Sequence, residues 1–233
     1  MNDKKICFII CSNDSFATSE CLLYINNLLI PEGYEIDALT VEEADSMTSG
    51  YNEAMASTDA KYKVYLHQDV YITNKRFLSD ILNIFTNHKD VGMIGIVGNT
   101  SIAENGAPWS DGQWRRIGKL YIDVIKDKVY SLWGDAIKPY QEVVVVDGLL
   151  MATQYDLPWR EDLFGGWDFY DCSQSLEFIR KGYKVVIPHM DKPWCLHDND
   201  KLHMQNYEKW RQVFEKEYKS DYMNWNVLKG KVK

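Results

Sequence analysis

Cysteine pairs, long apolar runs, positive charge and repeats are all scarce in this chain, and each shortage removes a class of protein. The five cysteines, Cys7, Cys11, Cys21, Cys172 and Cys195, form no Cys-x-x-Cys motif. An odd count without such spacing argues against a disulfide framework and predicts buried thiols in a reducing compartment. The apolar run Ile6 to Cys11 is too short for a secretory signal core, and none approaches the roughly 20 residues of a membrane span. A cytoplasmic protein without a transmembrane segment is therefore expected. Lys and Arg total 26 against 34 Asp and Glu, a formal charge of -8. Nucleic-acid binders show a basic face, so no nucleic-acid partner is expected. A small anionic ligand neutralised by a metal is still allowed. No internal repeat or low-complexity tract interrupts the 233 residues, a length suited to one large domain or one domain with a tail.

What the chain has in plenty is aromatic side chains, 13% of residues with 8 Trp and 15 Tyr. Such rings line sugar sites, and they also fill cores and helix contacts. The first hundred residues alternate strand and helix signals. Ile6 to Cys11 reads as a buried parallel strand. Ser12-Asn13-Asp14-Ser15 then offers cap residues to a helix with Cys21, Leu22, Ile25, Leu28 and Leu29 on its apolar face. Tyr34 to Leu39 is a second strand, followed by a helix through Met47, Tyr51, Ala54 and Met55 with Ser46 as a candidate cap. Lys63 to His67 is the third strand. Phe77, Leu78, Ile81, Leu82 and Phe85 mark another amphipathic helix. Val91 to Val97 is a fourth strand, whose Gly92, Gly95 and Gly98 suggest close backbone approach. These strand–helix units predict a parallel sheet with right-handed crossovers.

After Gly98 the pattern loosens. Asn99 to Gly118 reads as a long loop, a kind that tends to be functional or mobile. Leu120 to Ile125 and Lys128 to Trp133 form an expected hairpin. Glu142 to Val146 is a strand, Asp147-Gly148 a turn or bulge, and Leu149 to Thr153 a strand. Asp171 to Lys181 is a helix closed by Gly182, Lys184 to Ile187 a strand, and Lys201 to Tyr218 a Trp-containing helix. Residues 1–200 are expected to be one α/β domain, with 201–233 a helical extension packed on it.

Four clusters carry possible chemistry. Val64 to Leu66 runs into the polar triplet His67-Gln68-Asp69 before β-type residues resume at Val70. Ligands of open α/β sheets sit beyond the carboxyl ends of the strands. Asp69 there can hold a divalent cation, or it can simply close a turn or cap a helix. Cys11-Ser12-Asn13-Asp14 opens a helix N-terminus, which suits either a cap or a phosphate. Phe164-Gly165-Gly166-Trp167-Asp168-Phe169-Tyr170-Asp171 sets two acids among aromatic rings at a helix start. A carboxylate there can take a hydroxyl proton, and the helix dipole is expected to keep it ionised. His197, in His197-Asp198-Asn199-Asp200, is a candidate metal ligand with His189 and His203 as nearby alternatives. Gln113-Trp114-Arg115-Arg116 reads as loop that could touch substrate.

In order along the chain, several strings resemble family 2 glycosyltransferases of the GT-A fold. They are Ser46-Met47 to Tyr51-Asn52-Glu53-Ala54-Met55, Lys63-Val64-Tyr65-Leu66-His67-Gln68-Asp69-Val70, and Gly92-Met93-Ile94-Gly95-Ile96-Val97-Gly98. Gly166-Trp167 through Tyr170-Asp171 follows, then Arg180-Lys181-Gly182-Tyr183-Lys184-Val185 and His197. The nearer likeness is to the small bacterial branch related to streptomycin-biosynthesis protein StrF. The resemblance implies a GT-A, Rossmann-like mixed α/β sheet with flanking helices and a C-terminal helix. It implies a nucleotide-diphospho-sugar donor, a sugar, glycan or other hydroxyl acceptor, and Mn2+ or Mg2+. Asp69 and His197 would hold the metal. Asp171, with Asp168 beside it, would do the catalysis as general base. Ser12, Asn13, Asn52, His67 and Gln68 would face the donor. Direct in-line attack would invert the anomeric carbon. Three departures stand out. The usual Asp-x-Asp is His67-Gln68-Asp69, which leaves one acid and can shift a ligand to His67 or His197. Thr40-Val41-Glu42-Glu43 replaces the usual acidic pair after the second strand. Tyr170 stands at the first position of the usual Glu-Asp pair.

A non-catalytic nucleotide-sugar-binding module of the same fold is the competing expectation. A metal-dependent phosphoesterase ranks below both, because two-metal hydrolysis needs a dense His/Asp ligand set.

Overall fold

The computed structural model describes residues 1–110, 112, 115–124, 127–198 and 206–229. Strand β1 (Asn2–Ser12) contains the run Ile6 to Ile10, every residue of it sealed from solvent. Asp14 then caps α1 (Ser15–Asn26), its carboxylate accepting from the Phe16 and Ala17 N–H groups at 2.9 and 3.2 Å. The helix ends before Leu29, which is 59% exposed and so falls off the expected apolar face. After β2 (Glu35–Glu42), Ser46 opens α2 (Met47–Ala56) with a reciprocal cap: each of Ser46 and Ser49 accepts from the other's backbone N–H at 3.1 Å. Such a pair satisfies two of the donors that a helix start leaves free. β3 (Ala60–His67), β4 (Val70–Ile72) and α3 (Phe77–Asn87) follow.

The expected strand Val91 to Val97 is two strands, β5 (Val91–Gly95) and β6 (Val97–Asn99), which belong to different sheets. The change of sheet at Ile96 is possible because the glycines admit close neighbours. A Cβ on Gly98 would lie 2.5 Å from the Val145 carbonyl oxygen. The hairpin is β7 (Arg116–Val124) with β8 (Asp127–Leu132). The expected strand Glu142 to Val146 is likewise divided, into β9 (Tyr140–Glu142) and β10 (Val145–Val146). β11 (Leu150–Thr153), α4 (Tyr170–Arg180), β12 (Lys184–Pro188), β13 (Cys195–His197) and α5 (Tyr207–Leu228) complete the chain.

The main sheet has seven strands in the order β2-β1-β3-β11-β5-β12-β9. β2, β1 and β3 are parallel, as the strand–helix alternation predicts. β11 inserts antiparallel between β3 and β5, which makes the sheet mixed, as the resemblance implies. The second sheet runs β10-β6-β7-β13-β4, with β8 beside β7. There β13 pairs antiparallel with β4, His197 opposite Val70, and this brings a distant segment to the end of β3.

Two cores support these sheets. The larger is mostly aliphatic and includes the buried thiols Cys7, Cys21 and Cys195. The smaller is aromatic and lies under α5, with Phe164, Phe169, Trp210, Phe214, Tyr218 and Tyr222. Trp210, Phe214, Tyr218, Tyr222 and Asn226 recur every fourth residue along the buried face of α5, so the helix runs on past the expected end at Tyr218. Its expected start, Lys201 to Gln205 including His203, lies outside the described residues. Asn226, Tyr222 and Trp225 donate to the carbonyls of Ile102, Glu104 and Thr100 at 2.8, 3.1 and 3.1 Å, which pins the loop after β6. Among the described residues no helix is long and apolar enough to cross a membrane.

Candidate active site

Two cavities open where β1 and β3 end, and His67 and Trp167 line both. The first, ≈ 370 Å³, is walled by Cys11, Ser12, Asn13, Met47, Gln68 and Asp69 among others. Parallel pairing sets Cys11 opposite His67, so the loop after β1 and the triplet after β3 must meet. Gln68 ties them together. Its Oε1 accepts from the Asn13 and Asp14 N–H groups at 2.9 and 3.0 Å, and its Nε2 donates to Asn13 Oδ1 at 2.5 Å. Ser12 Oγ lies 2.7 Å from Thr18 Oγ1 at the base of α1.

Between the two cavities, ligand atoms of His67, Asp69 and His197 lie within 4.8 Å of one another. His197 Nε2 is 3.4 Å from Asp69 Oδ1, and the Asp198 N–H donates to the Asp69 carbonyl at 2.9 Å. Burial alone would raise Asp69 and lower both imidazoles. For Asp69 and His197 the ion pair outweighs burial, so Asp69 is held below its ordinary value and His197 above its own. For His67 burial wins, reinforced by His197, and its pKa is lowered. Two imidazoles and a carboxylate converging on one point suit a first-row transition cation, Mn2+ included, better than Mg2+, which prefers oxygen ligands and water. His189 is placed elsewhere, its Nδ1 2.7 Å from the Ala136 carbonyl.

The second cavity, ≈ 520 Å³, is walled by Trp109, Arg116, Asp147, Asp168, Tyr170 and Asp171 besides the shared pair. α4 starts abruptly here. Phe169 is its N-cap at φ 63° with no side-chain cap bond, and Asp171 sits in the first turn. Neither Asp168 nor Asp171 is therefore the helix cap. Asp171 Oδ1 accepts from the Cys172 N–H at 2.7 Å and Oδ2 from the Gly148 N–H at 2.9 Å. The expectation that the helix end keeps Asp171 strongly ionised needs correction. Burial and the Asp147 charge outweigh those two N–H groups and push its pKa up to about 7. Burial also raises Asp168.

Asn52 is not where the resemblance implied. Its amide clamps the Trp159 backbone, donating to the carbonyl at 3.0 Å and accepting from the N–H at 2.8 Å, which fastens α2 to the segment before Phe164. Asp147 and Tyr170 were missed as site residues. Asp147 read as turn chemistry, and it does accept from the Leu149 N–H at 3.0 Å. Only the return of β10 beside β6 brings it to the cavity. Gln113 and Trp114 lie outside the described residues, whereas Arg116 reaches the second cavity and donates to the Trp109 carbonyl at 2.5 Å. A larger cavity, ≈ 750 Å³, lies between Thr73–Arg76 and Pro188–Trp194. It shares no wall residue with the two at the strand ends, so volume alone does not select the site.

The mannosyltransferase PcManGT from Pyrobaculum calidifontis, in complex with GDP-Man and Mn2+, is similar in structure. The TM-score is 0.57 at 12% identity, over 97% of this chain and 73% of that one. S. aureus TarS gives 0.55 at 10% identity over 96% of this chain, which spans only 43% of TarS. TarS 1-349 in complex with UDP-GlcNAc gives 0.54 at 9% identity, over 97% and 73% of the two chains. At such identities the likeness shows the fold alone. No curated protein sequence matches the chain. Residues 7–218 match the glycosyltransferase-like family, and with the GT-A architecture of these neighbours the chain belongs to that family of transferases.

Proposed function

We propose that the protein transfers a sugar from a nucleotide-diphosphate donor to an acceptor hydroxyl with inversion, and that it belongs to the small branch related to streptomycin-biosynthesis protein StrF. The observation that carries this reading is the meeting of two cavities at one His/Asp cluster, with a carboxylate of pKa about 7 in the wall of the second. The donor occupies the first cavity, against Ser12 and Asn13. The acceptor occupies the second, and Trp167 stacks on the sugar between them. His67, Asp69 and His197 would hold Mn2+, or less favourably Mg2+. The cation, when bound, supplies positive charge to the diphosphate. Residues 201–233 act as an extension that braces this one catalytic domain.

Asp171 accepts the acceptor proton as the hydroxyl oxygen bonds to the anomeric carbon. The bond from that carbon to the diphosphate oxygen breaks, and its electron pair leaves with the diphosphate. A base whose pKa lies near working pH is well matched to such a transfer. Asp168 flanks it and orients the acceptor. Holding both partners in line supplies much of the rate.

A thermal-shift panel of UDP, GDP, CDP and dTDP and their sugars, each with Mn2+, Mg2+ or EDTA, tests the reading. A ligand at ~100 times its dissociation constant adds about 2.7 kcal/mol, and each kcal/mol moves the midpoint by roughly 2–4 °C. A metal-dependent shift with one base supports the transferase. Equal shifts in EDTA remove the metal from the mechanism. Binding without turnover on any acceptor supports the binding-module reading, and no shift with any nucleotide sinks both.

A further inference from the structure

His67 is the one member of the His/Asp cluster whose ring is gripped from the acceptor side. Its Nε2 lies 2.5 Å from the Tyr170 hydroxyl. Tyr170 is only 3% exposed, and its ring packs edge-on to Tyr51 at 6.0 Å and tilted to Trp159 at 6.2 Å. The hydroxyl end rests on Gly148. A Cβ there would lie 2.1 Å from the hydroxyl oxygen, so only glycine admits Tyr170 in this position. Gly148 also gives its N–H to Asp171. The phenol therefore has a fixed place, and the imidazole it touches has one nitrogen engaged. Nδ1 has no hydrogen-bond partner among the described residues, and the ring borders both cavities.

We propose that Tyr170 is a positioning residue for the cation site: by engaging Nε2 of His67 it fixes the ring and leaves Nδ1 as the ligand nitrogen. This rests on the metal-assisted reading above. Metal-ligating histidines almost always give their other ring N–H to an outer partner, which sets ring orientation and raises ligand basicity. The Tyr170 oxygen is that partner. Because Tyr170 precedes Asp171 and both lean on Gly148, one short unit holds a cation ligand on one side and the acceptor base on the other.

The test is a double-mutant cycle on the full chain with Tyr170→Phe, His67→Ala and the pair, read by Mn2+ titration with electron paramagnetic resonance. Tyr170→Phe is expected to weaken Mn2+ binding roughly 10–100-fold and to add nothing once His67 is alanine. Unchanged affinity in Tyr170→Phe overturns the proposal. Tighter Mn2+ binding overturns it too, because the hydroxyl would then be competing for the ligand nitrogen. The same cycle read by thermal unfolding in EDTA needs no metal. There Tyr170→Phe should lower the midpoint by roughly 2–4 °C with His67 present, as expected for one buried hydrogen bond, and by less without it. A wild-type protein that binds no Mn2+ sinks the metal-assisted reading and this inference together. Binding that Tyr170→Phe leaves unchanged sinks the inference alone.

Discussion

The two cavities that share His67 and Trp167 are built by different means. The first is a product of regular α/β construction, with parallel strands ending side by side, a capped helix, and a glutamine whose polar atoms bond the neighbouring loop. The second is assembled from irregular pieces: the loop after β6, the turn after β10, and the left-handed Phe169 before α4. In the first, the polar groups of Ser12, Asn13 and Gln68 are bonded to their neighbours. The second holds carboxylates that burial pushes toward their neutral forms. The proposed function assigns binding to the regular side and proton transfer to the irregular one.

The largest effect is expected from Asp171→Asn, an isosteric change that removes the base. Turnover should fall about 10²–10⁴-fold, the usual contribution of a positioned general base. Donor affinity, measured by calorimetry with Mn2+ and the nucleotide sugar, should stay within a factor of about two, well under the 1.4 kcal/mol that a tenfold change requires. A comparable loss of donor affinity would mean the two sides are not separate.

Acidity sharpens the contrast next. Asp171 must be ionised to act, so turnover should rise about tenfold per pH unit up to its value near 7 and then level off. Stability should move the other way. The folded value is about 7 against an ordinary 3.8. Below the lower value the carboxyl is protonated in both states and costs nothing. As pH rises toward 7 the unfolded chain ionises and the folded one does not, so stability is lost, by up to about 4 kcal/mol above pH 7. Urea unfolding of wild type and Asp171→Asn at pH 5 and pH 8 measures this. The wild type should lose ground to the variant at the higher pH, and parallel curves would remove the buried carboxylate from the account.

Trp167 belongs to both sides. It is 52% exposed, yet the segment leading into it is tethered: the Met47 N–H donates to the Gly166 carbonyl at 3.1 Å and Thr48 Oγ1 to the Phe164 carbonyl at 2.6 Å. A half-exposed ring on an anchored segment is suited to stacking, at about 0.5–1.5 kcal/mol. Trp167→Ala should therefore weaken the nucleotide sugar and the acceptor by about 2–10-fold each. The bare nucleoside diphosphate should bind as before, and the unfolding midpoint should barely move. Equal weakening of diphosphate and sugar donor would take the sugar off the indole.

How much of this could be read in the sequence divides along the same line. The first side was legible because its signals are local: an apolar run, then Ser12, Asn13 and a capping Asp14, then Leu66-His67-Gln68-Asp69. His197 was legible as a residue type, but its place beside Asp69 depends on the pairing of β13 with β4, both too short to leave a periodic signal. Asp147 looked like any Asp-Gly turn. Tyr170 stands out in the sequence only as a departure from the usual Glu-Asp pair, and its burial and partner come from the fold. The bond of Tyr170 to His67 spans 103 residues. Asn52 misled in the opposite sense: a polar residue on a helix beside the site is committed to the Trp159 backbone, and nothing local announces a partner 107 positions away.

The smallest effect tests whether the regular side binds through scaffold or through direct contact. Gln68 bonds Asn13 through both its backbone and side chain, and Asp14 through its backbone. Gln68→Ala removes these bonds, each worth about 0.5–1.5 kcal/mol net, at a half-buried position where water replaces part of the loss. The unfolding midpoint should drop by roughly 2–4 °C for each kcal/mol lost. Donor KM should rise about 2–5-fold through the loosened Asn13 loop, less than the tenfold that 1.4 kcal/mol would give, with kcat unchanged. Gln68→Glu discriminates further. Its carboxylate still accepts from both backbone N–H groups, but it cannot donate to Asn13 Oδ1 and it adds charge near Asp69. If Gln68 acts only as scaffold, stability and donor KM recover together in Gln68→Glu, each part of the way. If it touches the donor directly, the added negative charge repels the diphosphate, so KM worsens while the midpoint recovers. Partial recovery of both would make the first cavity an internally bonded cradle, beside the cavity to which the proposed function gives the chemistry.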